Sequence, residues 1–239
     1  MNPPSEFPSK DEIAKGYDQL PEQLFMPRKF HRRCIKFMRA HLKPGAAVAD
    51  FGCGHGTLLQ ELRLLYPQLK LSAVDLSPVL VNNTRQRVPD ADVHVADIEA
   101  LPFSDEAFDV AFATEVMEHL PDPGRALREI RRVLKPGAWL LVSLPNRDWF
   151  HFKKYVNNRA VFQPVDDRFY DVAEFETALR QAEFKVRKVR GGENLYFGGG
   201  LPRLLERFAL LIYPPLHRRM KRMILLSEKP VRPISWSNR

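Results

Sequence analysis

The chain has 239 residues, 44 % of them hydrophobic and 28 % charged, with a formal net charge of +8. That balance suits one globular domain with insertions, or one domain plus a small appendage, and it excludes disorder over most of the length. Two cysteines, Cys34 and Cys53, exclude a disulfide framework and a thiolate zinc site and suit a reducing compartment.

The first residues lack the basic-then-apolar order of a signal peptide. No apolar run approaches the roughly 20 residues needed to span a bilayer. The expectation is a cytoplasmic protein. Charge is unevenly spread, because residues 185–239 hold thirteen Lys and Arg against three Glu, a balance of +10 that leaves the first 184 residues near −2. A mildly acidic core with a basic end does not resemble a dedicated nucleic-acid binder, and no DNA partner is expected.

Taken along the chain, short apolar runs alternate with amphipathic stretches from Ala46 to about Ser143, which is the pattern of successive βαβ units. Ala46–Cys53 reads as a strand ending in glycines. Gly56–Tyr66 reads as a helix, with Leu58, Leu59, Leu62 and Leu65 on one face and Pro67 as its stop. Leu69–Leu76 is a second strand, and Ser77-Pro78 opens the next helix as cap and first residue.

Asp92–Ile98 and Phe108–Thr114 read as strands three and four. Pro123–Leu134 is a helix whose Ala126, Leu127, Ile130, Val133 and Leu134 form one stripe. Lys135-Pro136-Gly137 turns the chain into strand five, Ala138–Leu144. Asp171–Ala182 is a helix, Phe184–Val189 a sixth strand, and Arg222–Ser227 a last strand at the sheet edge.

The expected fold is therefore α/β: a doubly wound, mostly parallel, seven-stranded sheet of the Rossmann-like kind with an antiparallel C-terminal edge strand. Residues 1–40 would form an N-terminal helical cap and residues 41–190 the core, with an insertion at 146–170. Residues 191–239 would form a lid helix, a basic segment and the edge strand.

The most informative stretch is Asp50-Phe51-Gly52-Cys53-Gly54-His55-Gly56, between a strand and a helix. Alternate glycines allow a tight turn and a close approach of ligand to backbone, and the helix that follows points free N–H groups at that ligand. Asp75 ends the second strand 19 residues after Gly56, where an acid can accept hydrogen bonds from both ribose hydroxyls of an adenosine. Asp97 ends the third strand, where its carboxylate can take the adenine amino group while Ile98 packs on the ring. The glycines alone would also fit a dinucleotide dehydrogenase, but that pattern needs its third glycine where this chain has Thr57.

With these residues in view, the chain resembles the class I S-adenosylmethionine (SAM)-dependent methyltransferases. The resemblance is to their "type 11" small-molecule branch, which includes the ubiquinone- and menaquinone-biosynthesis methyltransferases. It rests on DFGCGHG (50–56), VDLSP (74–78), ADIEALPFSDEAFDV (96–110), EVMEHLPDP (115–123) and LREIRRVLKPGAWLLVSLPN (127–146). It implies SAM as cofactor, with Asp50 and the backbone at Gly52 and Gly54 at the methionine end, Cys53 among the cofactor contacts, and Asp75 on the ribose. Leu76, Asp97 and Ile98 would frame the adenine, and Glu115 would lie beside the sulfonium.

Glu115, Glu118 and His119 are spaced i, i+3, i+4 and would share one face if the segment after strand four were helical. His119, with Glu118, is the candidate catalytic pair, His119 serving as general base toward a hydroxyl acceptor. The bland alternative is that Glu118 and His119 make capping or supporting hydrogen bonds. In two related groups this pattern supplies metal ligands, so Glu115, Glu118 and His119 are also the candidate set for a divalent cation.

The expected acceptor is a small molecule, a hydroxyl of a lipid, quinone or glycan precursor. An RNA-directed methyltransferase and a SAM-binding protein without turnover are the alternatives. Specificity should lie in segments covering the sheet edge, among them the one that carries Tyr17. Trp149, Phe150, Phe152, Tyr155, Phe162, Phe169 and Tyr170 can line an apolar pocket. Leu201, Leu204, Leu205, Phe208, Leu211 and Ile212 recur at helical spacing beside a basic cluster at 217–222. Residues 201–222 would then be either a lid helix or a peripheral contact with an anionic membrane.

Overall fold

A computed structural model of the protein describes residues 8–149, 152, 168–192 and 218–231. Residues 193–217, with the amphipathic stretch from Leu201, and most of the 146–170 insertion lie outside the described residues.

The helices are α1 (Lys10–Asp18), α2 (Arg28–Met38), α3 (Thr57–Leu65), α4 (Pro78–Arg87), α5 (Pro123–Val133) and α6 (Val172–Gln181). The strands are β1 (Ala47–Phe51), β2 (Lys70–Asp75), β3 (Asp92–Val95), β4 (Phe108–Thr114), β5 (Leu134–Pro145), β6 (Lys185–Gly192) and β7 (Arg222–Glu228). They form a single seven-stranded sheet in the order β3-β2-β1-β4-β5-β7-β6. The expected α/β fold is the observed one.

β7 runs antiparallel to both of its neighbours. Its place differs from the expected edge. It is wedged between β5 and β6, and β6 is the outer strand. The reason lies in its burial: Met223 and Leu225 join one core cluster and Ile224 and Leu226 the other. A strand apolar on both faces needs cover on both faces, whereas β6, with Lys185, Arg187 and Lys188 exposed, suits an edge.

The same alternation divides the helices. Ala49, Phe51, Ala111 and Ala113 pack with α5 and α6 on one face, and Val48, Val110 and Phe112 pack with α2 and α3 on the other. Caps set several helix starts. The Ser77 hydroxyl accepts from the Leu80 N–H with Pro78 in the first turn, as the sequence predicts, and Asp171 and Glu174 cap α6 reciprocally.

Two boundaries move. β3 stops at Val95, so Asp97 and Ile98 lie in the turn beyond it. β5 begins at Leu134, so Lys135-Pro136-Gly137 lies inside the strand, with Gly137 at φ 82° and the register slipping between Phe108 and Val110. The sheet order reverses between β1 and β4, and that reversal opens a crevice at the carboxyl ends of the parallel strands.

Candidate active site

A cleft of about 210 Å³ occupies this crevice. Its wall is made by the β1–α3 turn. Gly52, Gly54 and Gly56 all have positive φ, at 80°, 53° and 73°. A side chain at Gly52 would collide with Val116, one at Gly56 with Thr84, and one at Gly54 would crowd the Phe25 ring. The turn therefore requires glycine for its dihedrals and also for the protein groups packed against it.

Asp75 fastens this turn to β2. Its carboxylate accepts from the Gly54 N–H at 2.8 Å and from the Ser77 N–H at 3.0 Å. That fixes the carboxylate at the cleft wall, where it retains lone pairs for a diol. Burial holds its pKa above the ordinary carboxylate range, against the pull of those two N–H groups.

Asp50 lies deeper, 2 % exposed, with its Oδ1 buried and without a hydrogen-bond partner. Burial, followed by the nearby Asp75 charge, pushes it up to about 8. An orphaned carboxyl in the floor of a cleft fits a cationic ligand group such as an ammonium or sulfonium. Cys53, Gly54, Leu76 and Ile98 also line the cleft.

The Asp97 side chain pairs with the Lys10 ammonium, accepts from the Glu99 N–H at 2.9 Å, and is not among the residues lining the cleft. Lys10 also reaches Glu99 at 2.8 Å, so α1 is latched to the turn after β3 and Lys10 itself lines the cleft.

After β4 the chain is not the helix that would align Glu115, Glu118 and His119. Glu115 sits at φ 56° and only a single 3₁₀ turn, Met117–His119, follows. The left-handed conformation, costing a non-glycine residue about 1–2 kcal/mol, is held by the surroundings. The Glu115 N–H donates to the Ser143 carbonyl at 2.8 Å, and its carboxylate accepts from the Ser143 hydroxyl at 3.0 Å and pairs with Arg222 Nε at 2.5 Å.

Glu115, Glu118 and His119 all line the cleft. Among the described residues no group of three or more His, Cys, Asp or Glu is arranged to hold a metal ion. Glu115 pairs with Arg222, and His119 meets the N-terminal helix. The Tyr17 hydroxyl lies 2.8 Å from His119 Nε2, and the two rings are tilted with centroids 5.1 Å apart. Glu118 is fully buried, with Oε1 3.9 Å from His119 Nε2.

Lys10, His31 and Arg222 are cleft residues that sequence reasoning did not single out as site residues. They come from α1, α2 and β7, and no motif or spacing ties them to residues 50–119.

Residues 49–142 match the family described as "Methyltransferase domain". The chain is 30 % identical over 182 residues to a "Probable S-adenosylmethionine-dependent methyltransferase" of Mycolicibacterium smegmatis, covering 74 % of this chain and 66 % of that protein. It is 33 % identical over 159 residues to a "Ubiquinone biosynthesis O-methyltransferase" of Xanthomonas oryzae, covering 62 % of this chain and 66 % of the other. The matched part thus spans just under two thirds of each of these relatives. A solved SAM-dependent methyltransferase of Thermotoga maritima, described as a possible histamine N-methyltransferase, superposes with a TM-score of 0.67 at 22 % identity. That superposition covers 91 % of this chain and 99 % of that one, a likeness of fold. Fold, glycine turn and strand-end acids agree with these matches: residues 49–142 match a methyltransferase domain, and the chain is similar to SAM-dependent methyltransferases.

Proposed function

We propose that the protein transfers a methyl group from SAM to a small-molecule acceptor, a hydroxyl of a lipid, quinone or glycan precursor. The observation that carries the first half is the pairing of Asp75, fixed by Gly54 and Ser77, with the orphaned Asp50 in one cleft. One carboxylate suits a ribose diol, and the other suits a cationic amino-acid end.

When bound, SAM supplies a methyl group on a positively charged sulfur, open to in-line displacement. The chain's own contribution is positioning and exclusion of water. Tyr17 and Phe25 from the N-terminal segment meet His119 and His55 ring to ring, which roofs the cleft. His119, 8 % exposed and within hydrogen-bond reach of Tyr17, receives the proton that an acceptor hydroxyl gives up, and Tyr17 orients its ring.

Calorimetric titration with SAM, S-adenosylhomocysteine and NAD in parallel tests the reading. Binding of both sulfur ligands and no binding of NAD is the expected result. His119→Ala should keep S-adenosylhomocysteine affinity within about twofold while turnover on an accepted hydroxyl compound drops about 10²-fold or more. Absence of SAM binding would overturn the cofactor assignment, and loss of binding in the His119 variant would overturn the role of that residue.

A further inference from the structure

Four carboxyl groups, Asp50, Asp75, Glu115 and Glu118, line the cleft. Among its described lining residues only two carry a fixed positive charge, and they come from opposite ends of the chain. Lys10 is engaged by Asp97 and Glu99 at the turn after β3. Arg222 opens β7, opposite Pro145 at the end of β5, and its Nε pairs with Glu115. Arg222 as a whole is 7 % exposed, and its guanidinium also contacts the Met26 sulfur at 3.8 Å.

Resting on the SAM reading above, we infer that Arg222 is the partner of the α-carboxylate of the ligand's methionine end, with Glu115 and Asp50 facing its ammonium. Asp75 is held at the Gly54 turn, so an adenosine seated on it has its base toward Leu76 and Ile98. Its amino-acid end then runs toward Asp50 and Glu115. Those two acids lie at the ends of neighbouring strands, since Asp50 on β1 pairs with Phe112 on β4, three residues before Glu115, and both line the cleft.

A zwitterionic ammonium and carboxylate entering this region needs one cation among the acids. Arg222 is the cation there, while Lys10 stands at the other end. The planar fork of arginine has five donors, enough to keep Glu115 and accept a second carboxylate. His31, one helical turn before Cys34 and 7 % exposed, also lines the cleft and has a buried Nδ1 without a partner, so it can add a neutral hydrogen bond.

The test compares two ligands that differ only at this end. S-adenosylhomocysteine carries the amino-acid group, and 5′-methylthioadenosine lacks it. In the wild type, calorimetry should show the first binding more tightly. Arg222→Met should raise the Kd for S-adenosylhomocysteine about tenfold or more while changing that for 5′-methylthioadenosine less than about twofold. Arg222→Lys, which keeps charge and loses the fork, should fall between and serves if the methionine variant does not fold. Asp75→Ala should weaken both ligands alike, by about tenfold or more.

Equal loss of both ligands in the Arg222 variants, or no loss of either, overturns the inference while leaving the SAM reading standing. Equal wild-type affinity for the two ligands overturns it as well. A wild type that binds neither overturns the SAM reading and the inference together.

Discussion

Asp50 closes β1 with a carboxyl group 2 % exposed and raised to about 8, first by burial and then by the Asp75 charge. Its folded pKa lies above its unfolded value, so between pH ~4 and ~8 the folded state holds a proton that the unfolded state has lost. This group's contribution is present at low pH and is lost as pH rises through that window. Asp50→Asn should therefore be more favourable to the ligand-free protein at pH 8.5 than at pH 5.5, by on the order of 2 kcal/mol in urea unfolding. Asp75, raised in the same direction, keeps part of the slope in the variant. Parallel stability profiles for wild type and variant would contradict a buried neutral Asp50. The position of this residue is legible in the sequence, since an acid before alternating glycines at a strand end can hardly lie elsewhere. Its missing partner is not, because solvation depends on what α2 and α3 lay over it.

The element that governs access to the cleft is α1. Ser9 and Glu12 cap it reciprocally, and three side chains tie it down: Lys10 to Asp97 and Glu99, Tyr17 to His119, and Asp18 to the Ser77 hydroxyl. Just beyond it, Glu22 pairs with Arg87. Each tie spans dozens of residues in sequence, so no local pattern announces any of them. Asp97 illustrates the consequence, because its carboxylate anchors Lys10, 87 residues away, a contact that the local sequence does not show. The Lys10 side chain is 38 % exposed, so its pairs are screened and modest in energy. Lys10→Met should cost less than about 1 kcal/mol in global stability, yet speed hydrogen exchange of the α1 amides about fivefold by loosening one of three ties. Unchanged exchange in α1 would show that Tyr17 and Asp18 hold the helix without it.

At the scale of the whole molecule, one sheet separates two cores, and β7 contributes to both. Met223 and Leu225 pack with α5 and α6, while Ile224 and Leu226 pack with α2 and α3. β7 also joins β6 to the rest of the sheet, as the strand between β6 and β5. Leu225→Ala should cost about 2–5 kcal/mol and lower both cores' unfolding together in a single denaturant transition, followed by near- and far-ultraviolet circular dichroism. Val231→Ala, at a position 72 % exposed, should stay within about 0.5 kcal/mol. Separate transitions for the two probes would mean that the sheet does not couple its two faces.

The sequence by itself determined the alternation of strands and helices, the glycine turn, the acids at the ends of β1 and β2, and the presence of seven strands. These follow from periodicity, backbone dihedrals and local caps, all of which act within a few residues. Only the tertiary structure decided that β7 enters between β5 and β6, that Glu115 pairs with Arg222, and that Lys10 pairs with Asp97. Those outcomes depend on burial and charge pairing between segments far apart in the chain. Their energies are set by which groups lose water together, and one-dimensional spacing carries no record of that.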